Sequence, residues 1–247
     1  MDDTELLRHS AHILLSQIGT EGLHRIRAAR VLIVGLGGLG SVLALYLARS
    51  GVGHLTLVDD DRIAWSNLPR QVLYGSDDIG KTKVAIALTT LAAASESTLI
   101  GITERLSGAR LEAEVAKADI VCDGSDNFAT RFALNAACLR LHRPLVSAAV
   151  IRFEGQLLVI DPATPEAGCY QCLYPDLPEQ AEACSQSGVL APIAGVMGCL
   201  QATETLKLIT GAGEPLNRDL LIFDGLTLTT HHIRRHRDTA CSLCHPP

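Results

Sequence analysis

The sequence has few aromatic residues and little charge. Of its 247 residues, 4% are aromatic and 19% are charged, and there are 21 lysines and arginines against 27 aspartates and glutamates. The formal net charge is therefore −6, and a chain without a basic excess is a poor candidate for binding nucleic acids. Apolar residues make up 47% of the chain. That fraction is close to the average of globular proteins and excludes extensive disorder.

Neither an export signal nor a membrane span is evident. The N-terminal segment from Met1 to Glu5 is acidic, and glycines interrupt the charge-free run from Val31 to Ala48. We therefore expect a soluble, cytoplasmic protein without membrane partners. In that compartment the eight cysteines are not expected to form disulfides.

The alternation of hydrophobic patterns predicts an α/β protein. Strands are predicted at 30–34, 54–58, 98–103, 119–122 and 145–150, and helices at 4–17, 38–50, 79–94, 109–117 and 127–141. This order favours a Rossmann-like, mostly parallel sheet with helices on both faces. After residue 150 the pattern changes to strands at 154–160 and 219–223, a helix at 192–210 and a long ordered loop at 161–190. We predict a single domain in two parts, residues 1–150 and 151–247.

A glycine-rich turn follows the first predicted strand. Gly35, Gly37, Gly38 and Gly40 fit the pattern G-x-G-x-x-G between a strand and a helix, where backbone N–H groups can bind a phosphate. Asp59 ends the next strand, where its carboxylate can bind ribose hydroxyls. The alternative is a tight turn with packing glycines. No P-loop motif is present. Taken alone, these residues indicate a nucleotide and favour NAD.

The residues that follow suit a triphosphate better than a dinucleotide. Arg70 and Lys83 can bind phosphate oxygens, and Asp126 follows another strand end, where a carboxylate beside a triphosphate would hold Mg²⁺. The alternative for Lys83 is a solvated charge on a helix. For Asp126 the alternative is a helix N-cap.

Taken together, these motifs resemble the ThiF/MoeB/HesA family of E1-like adenylyltransferases, over nearly the whole chain. The residues that carry the resemblance are Gly35–Gly40, Asp59, Asp61, Ser66, Asn67, Leu68, Arg70, Gln71, Lys83, Asp126 and Asn127. The resemblance implies a homodimeric enzyme that uses ATP and Mg²⁺ to adenylate the C-terminal glycine of a ubiquitin-like sulfur carrier protein of ThiS or MoaD type. Such carriers serve sulfur transfer in thiamine or molybdopterin biosynthesis.

The resemblance also implies roles for individual residues. Asp59 would hold the ribose, Asn67, Arg70 and Lys83 the phosphates, and Asp126 the magnesium ion. The glycine turn, Asp61, Ser66 and Asn127 would complete the nucleotide site, and residues 151–247 would bind the carrier and zinc.

One position departs from the family's N-terminal signature. Ala11 stands where the family has an arginine that reaches the triphosphate from the partner subunit. A missing arginine of this kind can cost several kcal/mol of barrier, and Arg8 or His12 are the candidates to compensate. Two alternative functions remain. Ala11 leaves open a binding module that has lost catalysis, and the glycine turn with Asp59 leaves open an NAD-dependent oxidoreductase.

Four cysteines form two C-x-x-C pairs, a pattern typical of structural zinc sites. They are Cys169, Cys172, Cys241 and Cys244. The alternative is two independent redox or unpaired sites. Cys184 lies in the long loop, at the position where the family often has a cysteine that bonds covalently to the carrier or its sulfur. The alternative is an ordinary loop cysteine.

The remaining thiols and the one basic run carry weaker predictions. Cys122, Cys138 and Cys199 lie in apolar contexts and are expected to be buried and inert. The basic run from His231 to Arg237 is either a solvated segment or a docking surface for an acidic carrier.

Overall fold

The strands of the described residues form one eight-stranded sheet in the order β3-β2-β1-β4-β5-β6-β7-β8. The computed structural model describes residues 3–175 and 188–244. The strands are β1 (Arg30–Val34), β2 (His54–Val58), β3 (Thr98–Ile102), β4 (Ile120–Asp123), β5 (Leu145–Ile151), β6 (Glu154–Ile160), β7 (Asp219–Asp224) and β8 (Thr229–Arg234). Strands β1 to β5 pair in parallel, whereas β6, β7 and β8 extend the sheet antiparallel.

Helices cover both faces of this sheet. They are α1 (Asp3–Arg8), α2 (Ser10–Ile13), α3 (Gly19–Ala28), α4 (Gly38–Arg49), α5 (Lys83–Ala92), α6 (Gly108–Lys117), α7 (Phe128–Arg140), α8 (Tyr170–Leu173) and α9 (Ala191–Thr210). Val31 and Ile33 of β1 belong to the core layer that also contains α4, α5 and α9. Leu32 and Val34 belong to the opposite layer, with α6 and α7. Because successive side chains of a strand point to opposite faces, a continuously apolar strand is buried on both.

The glycine turn joins β1 to α4 by close backbone contacts. Gly35 has a φ of 92°, and a Cβ on this residue would lie 2.8 Å from the carbonyl of Gly124. A Cβ on Gly40 would overlap the carbonyl oxygen of Gly35. The turn thus requires glycine for both conformation and space. The glycine turn also divides the charge-free run from Val31 to Ala48 into a strand and a helix. No helix in the described ranges is long and apolar enough to span a membrane.

The predicted fold class is confirmed, but some element boundaries are wrong. The helix predicted at 4–17 is two short helices, and α3 and β8 were not predicted as such. The helix predicted from Ile79 begins at Lys83, because Gly80 has a φ of 84° and residues 80–81 exchange backbone hydrogen bonds with Ile63. The division at residue 150 stays a prediction, since β5 runs through that boundary within one continuous sheet.

The tight contact at Gly40 predicts that even alanine is destabilising there. Gly40→Ala should lower the free energy of unfolding by about 3 kcal/mol, because the added methyl group overlaps a backbone oxygen that cannot move without shifting the turn. Chemical denaturation measures this change. Gly195→Ala in α9 is the matched control, since its Cβ would contact nothing within 4 Å and alanine favours helix. Equal stability of the two variants would contradict the packing described for the turn.

Candidate active site

A cleft of about 450 Å³ opens at the carboxyl ends of the parallel strands, where open α/β sheets bind ligands. Most of the nucleotide-site residues singled out from the sequence line this cleft. They are Gly35, Gly37, Gly38, Asp59, Asp61, Ser66, Asn67, Arg70, Lys83, Asp126 and Asn127. Gly40 does not line the cleft but contacts the turn from behind. Residues from five separate segments of the chain are therefore brought to one place.

Asp59 fixes the glycine turn to the end of β2. Its Oδ2 accepts a hydrogen bond of 2.7 Å from the backbone N–H of Leu36, and its Oδ1 accepts one of 2.9 Å from that of Asp61. Burial raises the pKa of Asp59, although Lys83 and the two N–H donors act in the opposite direction. Each carboxylate oxygen has a second lone pair, so Asp59 keeps acceptor capacity for a ligand.

Lys83 begins α5 and pairs with two carboxylates that line the cleft. Its Nζ lies 2.7 Å from Asp61 Oδ2 and 3.5 Å from Asp59 Oδ1, and its side chain is only 6% exposed. The alternative of a solvated charge is therefore wrong. The sequence-based prediction assigned Lys83 to phosphates alone and did not anticipate this carboxylate pair.

The segment after β2 supplies the second cation of the cleft. A turn of 3₁₀ helix at Trp65–Asn67 is closed by Asn67 Oδ1, which accepts from the backbone N–H of Ala64 at 3.1 Å. Arg70 Nη1 donates to the carbonyl of Ser66 at 2.7 Å. A Cβ on Gly38 would lie 3.3 Å from Arg70 Cγ, so the arginine stem packs directly on the glycine turn.

Asp126 and Asn127 have different tasks at the start of α7. Asn127 is the N-cap, and its Oδ1 accepts from the backbone N–H of Thr130 at 2.9 Å. The alternative that Asp126 caps this helix is therefore wrong. Asp126 is exposed in the cleft, and its carboxylate makes no hydrogen bond or ion pair with any part of the chain that the structure describes. A free carboxylate of this kind is a suitable ligand for Mg²⁺.

A buried network below Asp126 was missed by the sequence analysis. Asp123 is fully buried and accepts hydrogen bonds from Ser125 Oγ at 2.6 Å and Ser147 Oγ at 2.7 Å. Arg131 donates to the carbonyl of Ser125 at 2.8 Å and also lines the cleft. Arg131 lies one helical turn after Asn127, which is the signal that could have identified it.

Further cleft residues follow β3, whose carboxyl end received no attention in the sequence analysis. Glu104, Arg105 and Leu106 line the cleft beside Asp60, and Arg105 Nε lies 3.2 Å from Asp60 Oδ2. The strand-end rule that selected Asp59 would also have selected these residues.

The structure does not bring Arg8 into the cleft of its own chain. Its guanidinium donates to the carbonyl of Ala94 at 2.6 Å and pairs with Glu96 at 3.2 Å. It lies in a second, smaller pocket, near the amino end of β2. Ala11 is exposed in α2, and His12 is half-buried. The N-terminal segment thus offers no cation to the nucleotide cleft within one described chain.

The four cysteines of the C-x-x-C pairs converge as predicted. The Sγ atoms of Cys169 and Cys172 are 3.9 Å apart, those of Cys169 and Cys241 are 3.8 Å apart, and those of Cys172 and Cys244 are 3.4 Å apart. A tetrahedral zinc site with bonds of about 2.3 Å has edges of about 3.8 Å. The cluster therefore fits zinc, and the alternative of two independent sites is wrong.

The thiols of the cluster differ in their surroundings, because burial raises the pKa of Cys169 and of Cys244 whereas the pKa of Cys241 is lowered. Burial raises the pKa of Cys241, but the N–H groups of Cys244 and Leu243 outweigh it, so the net pKa lies below its usual value. A lowered thiol pKa favours the anionic ligand that zinc needs. Hydrogen bonds of this kind are typical of thiolate ligands.

The other predicted cysteines and basic residues are placed as follows. Cys184 lies outside the described residues. Cys122 and Cys138 are buried, and burial raises the pKa of Cys122 to about 12. Cys199 is only half-buried, which corrects the prediction for that thiol. Within the basic run, Arg235 is buried and donates to the carbonyls of Val159 and Asn217 at 2.6 and 2.7 Å, so it supports the fold.

Comparison with protein families and relatives gives a consistent result. The ThiF family model matches residues 9–243. The chain is 42% identical over 245 residues to the sulfur carrier protein ThiS adenylyltransferase of Escherichia coli, covering 99% of this chain and 97% of that protein. It is 39% identical over 245 residues to the molybdopterin-synthase adenylyltransferase of Escherichia coli, covering 99% and 98%. It is also 39% identical over 247 residues to the SAMP-activating enzyme E1 of Haloferax volcanii, covering 99% and 90%.

Solved structures share the fold. The Escherichia coli protein MccB crystallised with ATP has a TM-score of 0.77 and 25% identity, covering 91% of this chain and 69% of that one. The same protein crystallised with MccA-N7isoASN has a TM-score of 0.83 and 24% identity, covering 98% and 75%. The second likeness shows the fold alone.

The cysteine cluster predicts a local effect of metal removal. Chelation of zinc should increase amide hydrogen exchange first in residues 160–175 and 235–244, because the cluster joins two segments that are distant in the sequence. The strands β1 and β4 serve as the internal control and should stay protected. Unchanged exchange in both segments after verified metal loss would contradict a structural zinc site.

Proposed function

Because this chain belongs to the ThiF family, we propose that it uses ATP to adenylate the C-terminal glycine of a ubiquitin-like sulfur carrier protein. The observation that carries the proposal is the cleft in which the glycine turn, Arg70, Lys83 and the free carboxylate of Asp126 meet. An NAD-dependent oxidoreductase would not need the free carboxylate of Asp126 beside the cations Arg70 and Lys83 in the cleft. Carriers of ThiS or MoaD type are the proposed substrates, for sulfur transfer in thiamine or molybdopterin biosynthesis.

We propose that different residues of the cleft bind different parts of the nucleotide. The turn N–H groups and the α4 N-terminus, with Asn67, Arg70 and Lys83, would bind the phosphates. Asp59 would accept hydrogen bonds from the ribose hydroxyls with its remaining lone pairs. Lys83 has three hydrogens on its ammonium group, so it can keep Asp61 and still meet a phosphate oxygen.

Adenylation needs alignment and charge stabilisation more than a side-chain nucleophile. The carrier carboxylate attacks the α-phosphorus of ATP, the bond to the β-phosphate oxygen breaks, and pyrophosphate leaves. Arg70 and Lys83 stabilise the negative charge that develops on the phosphate oxygens. Asp126 would hold Mg²⁺, which supplies further charge neutralisation when bound.

We assign residues 1–150 to the nucleotide and residues 151–247 to the carrier and to zinc. All four cysteine ligands lie in the second part. We propose a cytoplasmic location, where thiols stay reduced and can bind a metal. Cys184 stays a candidate for a covalent link to the carrier or its sulfur.

A binding module that has lost catalysis is the second candidate function. It is favoured by Ala11, which stands where the resemblance implies an arginine for the partner's triphosphate. The wild-type rate in the assay that follows separates the two, because turnover at an enzymatic rate excludes a mere binding module.

Replacement of Asp126 tests the proposed activity. Asp126→Ala should lower carrier-dependent exchange of labelled pyrophosphate into ATP by at least about 100-fold. The variant lacks the carboxylate that would hold Mg²⁺, so the negative charge of the triphosphate is no longer neutralised there. Its melting temperature should not change, since Asp126 bonds to nothing in the described chain and does not cap α7. The matched control is Asp77→Ala, an exposed acidic residue outside the cleft. Near-full exchange by Asp126→Ala would refute the metal assignment.

We also propose a homodimer formed through the N-terminal segment. Leu7 of α1 and Leu14, which follows α2, are 76% and 83% exposed, and exposed apolar surface of this kind can mark an interface with a partner. The resemblance places position 11, between them, at the partner's triphosphate. By contrast, Leu226 and Leu228 are exposed on the β7–β8 hairpin, and we propose that this hairpin docks the carrier.

These two surfaces predict opposite phenotypes for matched substitutions. Leu14→Glu should halve the mass measured by analytical ultracentrifugation, because it places a charge in the dimer interface. Leu226→Glu should leave that mass unchanged and weaken carrier binding. A monomeric wild type, or a dimer that tolerates Leu14→Glu, would refute the interface.

A further inference from the structure

Asn135 is a polar residue in the middle of α7 that the proposed nucleotide chemistry does not use. Its side chain is fully buried and contacts α8, the short helix that directly follows the ligand Cys169 and ends at Leu173. A buried amide lowers stability unless its oxygen and its nitrogen both find hydrogen-bond partners. The partners of the two atoms therefore reveal what the residue is for.

The oxygen has its partner in α8. Asn135 Oδ1 accepts the backbone N–H of Tyr170 at 3.1 Å, and Tyr170 directly follows the ligand Cys169. This bond fixes the orientation of the amide, because the NH₂ group cannot accept from an N–H donor. The NH₂ group must then lie on the other side of the amide.

The nitrogen has no such partner. Asn135 Nδ2 is buried and makes no well-formed hydrogen bond within the described ranges. Because Asn135 Oδ1 is bonded to the N–H group of the residue that directly follows Cys169, the unpartnered NH₂ group lies beside the turn that carries the buried Cys169 thiol. A thiol is a weak acceptor, whereas a metal-bound thiolate is a strong one.

We propose that Asn135 is a positioning residue of the zinc cluster, and that its Nδ2–H donates a hydrogen bond to the Cys169 thiolate when zinc is bound. The backbone N–H groups within each C-x-x-C turn can serve the other sulfurs locally. Asn135 differs because it reaches the cluster from a helix outside both turns. It holds Tyr170 and Cys169 through the two ends of one amide.

The bond connects the zinc cluster to the cleft through one rigid helix. Asn127 and Arg131 line the cleft from α7, and Asn135 is the next residue along the same face, at a spacing of four. The Phe132 ring also packs edge-on against Tyr170, with centroids 5.4 Å apart. Loss of zinc would therefore release α7 at its middle, behind the residues that wall the nucleotide cleft.

The test uses the zinc-loaded full-length protein and two readouts that do not depend on activity. Asn135→Asp keeps an acceptor for Tyr170 but removes the donor to Cys169 and adds a negative charge beside the thiolate. Zinc release to a colorimetric chelator should be at least about 10-fold faster. The sulfur-to-cobalt charge-transfer band of the cobalt-substituted protein should shift.

Leu134→Ala is the control for general destabilisation, because Leu134 is equally buried on the same helix. It should lower the melting temperature and leave the cobalt band in place. If Asn135→Asp is not recovered folded, the uncharged Asn135→Ser is measured in the same way. A band and a release rate that match the wild type in the recovered variant would overturn the proposal. So would an equal shift in Leu134→Ala, or a wild-type protein that binds neither zinc nor cobalt.

Discussion

The contact of the buried residues Lys83 and Asp59 with the exposed Asp61 organises the nucleotide end of this protein. Asp59 holds the glycine turn through Leu36 N–H, and Lys83 joins the start of α5 to the end of β2. One charge cluster thereby fixes three segments that would otherwise be independent. This contact holds Lys83 and the glycine turn at a common cleft.

The charges of Lys83, Asp59 and Asp61 are better explained by ligand binding than by a gain in folding stability. Two carboxylates face one ammonium group, and a buried ion pair has a desolvation cost that often equals its attraction. Removal of one partner from such a pair typically costs about 3–5 kcal/mol, so the cluster is hard to replace stepwise. A bound triphosphate would add negative charge to this site, and magnesium and Arg70 would supply positive charge. The dipoles of the site are already oriented, which is the condition for electrostatic catalysis.

The sequence allowed much of this site to be predicted, for identifiable reasons. The glycine turn and Asp59 were found because their spacing is a local pattern that fits one strand–turn–helix unit. Lys83 was placed in the site, but its carboxylate partners were not predicted because they depend on how α5 begins after Gly80. Arg131 could have been placed by its spacing of four from Asn127, whereas the burial of Asp123 depends on Ser147, which pairs with it only in the folded sheet. The convergence of the cysteine pairs was predicted, whereas the contact of α7 with them through Asn135 has no sequence signature.

The central claim is that the cations and carboxylates of the cleft surround a triphosphate. A crystal structure of the protein with magnesium and a non-hydrolysable ATP analogue tests it most directly. The account predicts phosphate oxygens within hydrogen-bond distance of Arg70 and Lys83, with the metal bound by Asp126. Phosphates bound elsewhere, with Lys83 enclosed by its two carboxylates and Asp126 facing solvent, would contradict it.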